Sequence, residues 1–144
     1  MDIKLSRWLV ALDRSEMDDR LIDHVEYWAG VLSPEQISFI NIRRELESWD
    51  HVDNTLFNKM LKKEKEEDAI WIKSIEERVK HFNTRTYVTV GHGAGLEKLM
   101  EVCSDYKYDL VIAGKKQAMP SKGHLTEDLA KKLPTSFMLI PETA

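Results

Sequence analysis

The chain has 144 residues, 42% of them hydrophobic and 32% charged, with a formal net charge of −4. That composition fits one globular domain and excludes a fibrous or disordered chain. The acidic balance argues against a broad nucleic-acid-binding surface, and no apolar run approaches the roughly 18 residues of a membrane-spanning helix, so neither nucleic acid nor a membrane is expected as a partner.

Met1 to Arg7 lacks the apolar core of a signal peptide. The single cysteine, Cys103, excludes an internal disulfide and fits a reducing compartment, so a cytoplasmic location is expected. The first apolar run, Trp8-Leu9-Val10-Ala11-Leu12, is short, continuous and ended by Asp13, as a strand buried on both faces should be. Ser15 then offers a helix cap, with Asp18 placed to favour the positive end of that helix. Leu21, Ile22, Val25, Trp28, Ala29 and Leu32 form a core-facing stripe at helical spacing, which Ser33-Pro34 ends. Ile37 to Ile42 reads as a second strand.

A long polar helix is predicted from about Thr55 to Phe82. Leu56, Phe57, Met60 and Leu61 mark its early apolar face, and Trp71, Ile72, Ile75, Val79 and Phe82 the later one. The charged run between them, Lys62 to Asp68, reads as a solvated face with mixed ion pairs. Thr86 to Val90 is rich in β-branched and aromatic residues and predicts a third strand. Gly91-His92-Gly93-Ala94-Gly95 is a loop, and Leu96, Leu99, Met100 and Cys103 recur at helical spacing, with Cys103 a small core residue. Leu110 to Ala113 is a fourth strand ended by Gly114. Thr126 to Leu133 reads as a short helix stopped by Pro134, and Phe137 to Ile140 as a fifth strand. Alternating helices and buried-type strands predict an α/β fold: an open parallel five-stranded sheet in order 3-2-1-4-5, helices on both faces, with Leu9 to Leu12 and Leu110 to Ala113 inside the sheet.

Sheets of this kind bind ligands beyond the carboxyl ends of their strands, where the strand order reverses. Asp13, Ile42, the glycine loop and the segment from Gly114 to His124 all fall there. The glycine loop fits a dinucleotide fingerprint poorly, because the position of the third glycine holds Leu96; it reads as a turn that uses glycine for positive φ. Asp13 either accepts hydrogen bonds from a ligand or caps the turn that follows it. His92 and His124 are a weak metal signal without a carboxylate or thiol partner. No Ser-His-Asp arrangement or pair of carboxylates with a cleft is apparent, so nothing demands an enzyme.

Over nearly its whole length the chain resembles the universal stress protein family. Trp8 to Glu16 is similar to the family's opening strand and V-D-G-S-E turn, with Arg14 in place of glycine. Ser38 to Ile42 resembles the second strand. Val90 to Leu99 falls where the family has the turn that opens its third helix. Tyr108-Asp109-Leu110-Val111-Ile112-Ala113-Gly114 is similar to A-D-L-I-V-M-G, and Gly123 to Leu129, followed by Pro134 to Ile140, resembles the closing segment. Relatives that bind ATP carry G-x-x-G, then nine residues, then G-S or G-T. Here Gly114 matches the first glycine, Gln117 replaces the second, Gly123-His124 replaces the final pair, and the loop between is four residues shorter.

The resemblance implies a dimeric stress-response module that contacts protein partners without ATP turnover. The alternative is a module that holds an adenine nucleotide at Asp13, Ile42, Gly114, Gly123 and His124. A homodimer through Ser136 to Ile140 is expected, because that apolar edge strand is costly to leave open. Tandem copies occur in the family, so the chain is read either as a full protein or as half of one.

Overall fold

A computed structural model describes residues 5–43, 54–114 and 135–141. The elements are β1 (Arg7–Leu12), α1 (Met17–Leu32), β2 (Gln36–Arg43), α2 (Asn54–Val79), β3 (Arg85–His92), α3 (Gly95–Tyr106), β4 (Leu110–Gly114) and β5 (Ser136–Ile140). The five strands form one parallel sheet in the order β3-β2-β1-β4-β5, the topology that the sequence predicts. The helix expected over Thr126 to Leu133 and the loop at Trp49 to His51 lie outside the described residues.

Strand side chains alternate between two faces, and this divides the core in two. Trp8, Val10 and Leu12 of β1, with Ile37 and Phe39 of β2 and Leu110 and Ile112 of β4, pack beneath Leu21, Ile22 and Val25 of α1 and Ile75 and Val79 of α2. Leu9, Ala11, Ile40, Ile42, Val111 and Ala113 face the other way, against Leu99 and Cys103 of α3. β1 and β4 are buried from both sides, as their unbroken apolar runs demand. β3 lies at one edge and alternates between partly buried and exposed residues, and β5 lies at the other.

Local chemistry ends α1 where the sequence changes. Ser33 takes a left-handed conformation (φ 49°) just before Pro34, and its N–H donates to the Ala29 carbonyl at 2.9 Å. Gly93 sits at φ 146°, in a region that glycine alone adopts without strain, and its N–H reaches the Arg43 carbonyl at 2.9 Å. Asp109 ties the starts of β4 and β1 together by accepting from the Ser6 and Arg7 N–H groups at 3.0 and 2.9 Å.

Cys103 is the small core residue that the sequence suggests. Burial pushes its thiol up to about 11, so little of it is the reactive thiolate at neutral pH. Iodoacetamide is expected to label the folded chain at a small fraction of the rate in urea; equal rates would show that α3 does not cover the thiol.

Candidate functional site

β1 lies between β2 and β4, with α1 and α2 on one face and α3 on the other, so strand order reverses beside it. Leu12 is opposite Asn41, and Val10 is opposite Ile112. Continuing that register sets Asp13 level with Ile42, and Leu12 level with Gly114. The sequence-predicted residues Asp13, Ile42 and Gly114 therefore stand together at the carboxyl ends of neighbouring strands. Gly123 and His124, expected to complete the site, lie outside the described residues.

Each of the three is already engaged. Asp13 caps its own turn, with Oδ1 accepting from the Ser15 N–H at 2.9 Å. The Ile42 side chain is buried on the α3 side, so its backbone is what it offers a ligand. Gly114 is buried at the end of β4, paired with Ile140.

Ser15 caps the start of α1 as the sequence predicts: its Oγ accepts from the Met17 N–H at 3.2 Å and its carbonyl from the Asp18 N–H at 3.1 Å, while Glu16, at the helix boundary, makes no side-chain cap hydrogen bond. The buried Asp18 reaches back, its Oδ1 accepting from the Asp13 N–H at 3.1 Å and its Oδ2 from the Arg14 N–H at 2.9 Å. These bonds hold Arg14 at φ 63°, a left-handed conformation strained for a side chain with a Cβ. This is the position that holds glycine in the family turn.

What Arg14 gains is reach. Its Nε donates to Asn41 Oδ1 at 2.9 Å, its Nη2 donates to Asp68 Oδ1 at 2.6 Å, and its guanidinium lies 4.9 Å from the centre of the Trp71 ring. Asn41 in turn donates to the Leu12 carbonyl at 2.9 Å. The side chain of Arg14 thus crosses the carboxyl end of β2 and fastens β1 to α2.

Asp68 is the centre of this arrangement. Arg43 donates to the same Oδ1 at 2.5 Å, and also pairs with Glu67 (3.2 Å) and Glu64 (3.6 Å). His92 Nε2 lies 3.3 Å from Glu64 Oε1 and 3.8 Å from Asp68 Oδ2. Burial by itself would raise the Asp68 carboxyl, but the hydrogen bonds from Arg14 and Arg43 outweigh it and hold the carboxyl below its usual range. The Arg43 guanidinium is shifted the opposite way, upward, its own desolvation being outweighed by Glu67 and Asp68.

Two sequence-based expectations are corrected by this geometry. The run from Lys62 to Asp68 is not solvated throughout, because Glu64 and Asp68 turn inward and their side chains are only 11% and 10% exposed. His92 does have carboxylate neighbours. Both signals were present: Glu64, Asp68, Trp71, Ile75 and Val79 follow one another at three- and four-residue steps, and strand parity puts His92 on the same face as Val88.

No family model matches the chain, and no curated protein matches it. Solved structures do. The universal stress protein UspA from Lactobacillus plantarum superposes with a TM-score of 0.79 at 12% identity, over 96% of this chain and 99% of that one. A universal stress protein in complex with cAMP gives 0.72 at 14% identity, over 97% and 99%. One from Arabidopsis thaliana with AMP bound gives 0.63 at 12% identity, over 96% and 93%. The chain is thus an α/β domain with an open parallel sheet. Within that class its fold is that of the universal stress proteins, as the order of its sequence segments suggested.

Proposed function

We propose that the chain is a universal-stress-type protein that works as a regulatory interaction module, dimeric through β5 and without ATP turnover. The observation that carries this reading is Arg14. Where the family turn has glycine, this chain has a long cation laid across the strand ends and anchored on Asn41, Asp68 and Trp71. It takes up space and hydrogen-bonding groups there that an adenosine would otherwise use. The altered sequence from Gly114 to His124 points the same way, since Gln117 and His124 replace residues that serve ATP in the family pattern.

The dimer is supported by β5 itself. Among the described residues it is an edge strand, Leu139 on it is 37% exposed, and no described strand pairs with its outer backbone groups. Two copies related by a two-fold axis would pair these strands antiparallel and cover Leu139 and Phe137. A cytoplasmic location goes with this reading; among the described residues no helix is long and apolar enough to cross a membrane.

The second reading is an adenine-nucleotide module. The shared level of Asp13, Ile42 and Gly114 favours it, as do the cAMP and AMP found in two proteins of the same fold.

Calorimetry with ATP and AMP, together with light scattering, separates the two. The parent chain is expected to be a dimer at micromolar concentration, to bind ATP no more tightly than about millimolar, and to turn none over. Arg14→Gly, which clears the strand ends and removes the backbone strain, is expected to raise AMP affinity about tenfold, or roughly 1.4 kcal/mol. Micromolar ATP binding by the parent, lost in Gly114→Ala or Gly123→Ala, would establish the nucleotide module instead. A monomer at all concentrations would remove the β5 dimer.

A further inference from the structure

We infer that Glu64, Asp68 and His92 form a binding site for one divalent transition-metal ion of the zinc type. Glu64 and Asp68 stand one turn apart on α2, and His92 ends β3, so two elements distant in sequence bring their ligating atoms together. His92 Nε2 is 3.3 Å from Glu64 Oε1 and 3.8 Å from Asp68 Oδ2, and all three atoms lie within 4.8 Å of one another. Ligands bound to zinc at about 2.0–2.2 Å in a tetrahedral shell stand roughly 3.3–3.6 Å apart. The two distances from His92 lie within that range and just beyond it.

The surroundings orient one of the ligands. Arg14 and Arg43 both donate to Oδ1 of Asp68, which leaves Oδ2 turned toward His92. Partners of this kind fix the direction of a ligand's lone pairs and are part of a metal site's construction. At Glu64 the guanidinium does not orient the ligand: Arg43 Nε lies 3.6 Å from Oε1, the oxygen that faces His92, and competes there with a cation, so the orienting bonds are those to Asp68. The two carboxylate side chains are 11% and 10% exposed while the imidazole is 42% exposed, so the site is walled by α2 and open on the His92 side.

Charge sets the strength. Glu64, Glu67 and Asp68 face Arg14 and Arg43, a formal balance of −3 and +2, so the cluster attracts a cation by a single net charge. The guanidiniums limit affinity to the micromolar range. One imidazole with two carboxylates suits Zn²⁺ or Co²⁺; Mg²⁺ and Ca²⁺ need more oxygen ligands than the cluster supplies.

The test uses the whole chain, stripped with a chelator, with zinc followed by calorimetry and cobalt by visible absorption. One equivalent of Zn²⁺ is expected at micromolar affinity, and Co²⁺ should give the intense bands of a four-coordinate ion. His92→Ala and Glu64→Gln, checked for folding by circular dichroism, are each expected to weaken Zn²⁺ binding by about tenfold or more. His81→Ala should leave binding unchanged; His81 pairs with Glu26 at 2.8 Å beyond the C-terminal end of α2, away from Glu64 and Asp68 in its first half, and is the obvious competing site. The assignment fails if the parent takes up no zinc saturably, if His92→Ala binds as the parent does, or if His81→Ala abolishes uptake.

Discussion

Replacing Asp68 with alanine is expected to destabilise the chain by about 3 kcal/mol. One carboxylate oxygen accepts from both Arg14 (2.6 Å) and Arg43 (2.5 Å), and Asp68 is 7% exposed. Its loss leaves Arg14 with Asn41 and the Trp71 ring but no carboxylate, in a strained turn whose side-chain anchor is gone. Removing one partner of a buried ion pair typically costs about 3–5 kcal/mol, because the remaining charge stays desolvated. The low end applies here because the two guanidinium side chains, 24% and 27% exposed, keep some water. Asp68→Asn retains one acceptor oxygen and should lose roughly half as much. Urea unfolding measures both. A change below about 1 kcal/mol in Asp68→Ala would mean that the network rearranges around its missing centre.

This network was the least legible part of the sequence, and the reason is physical. Leu9 to Leu12 and Leu110 to Ala113 declare burial on two faces without help from any other segment. Period-two and helical spacings then fix the order of elements, and short right-handed crossovers restrict the strand order. Asp13, Ile42 and Gly114 could be placed for the same reason, since each ends a strand. A charged run has no such marker. Whether Glu64 and Asp68 meet solvent or the sheet depends on the phase of a 26-residue helix, and the partners of Asp68 come from 54 and 25 residues away. Alternating Lys and Glu favours the solvated reading on composition alone. Only the phase of Ile75 and Val79, carried backwards along α2, would have turned those two carboxylates inward. Arg14 was legible as a departure from glycine, but its destination was not, because a flexible side chain can reach in several directions from one backbone position.

The stability difference between the parent chain and Asp18→Asn is expected to shrink by about 2–4 kcal/mol as pH rises from about 4 to about 7. Asp18 is 8% exposed at the turn after β1. Burial pushes its carboxyl up from 3.8 to about 7, with the neighbouring Asp13 charge adding to the rise and the Asp13 and Arg14 N–H groups opposing it. The unfolded chain releases this proton near the ordinary value, while the folded chain keeps it to about 7. Between those two values the folded state binds more protons, so raising the pH favours unfolding. The stabilisation from this group is complete below about 4 and gone above about 7, the reverse of a carboxylate held low by a salt bridge. Asp18→Asn does not titrate at this position, so the difference isolates Asp18 together with its coupling to Asp13. At pH 4 the folded carboxyl is protonated and still offers its hydroxyl oxygen as a second, weaker acceptor, which the amide lacks, so the variant is the weaker chain there. Denaturant curves at half-unit intervals from pH 4 to 8 measure the convergence. A constant difference would show that the two N–H donors at Asp13 and Arg14 keep the Asp18 carboxylate charged in the folded chain, and that the turn is held by an ion at every pH in the range.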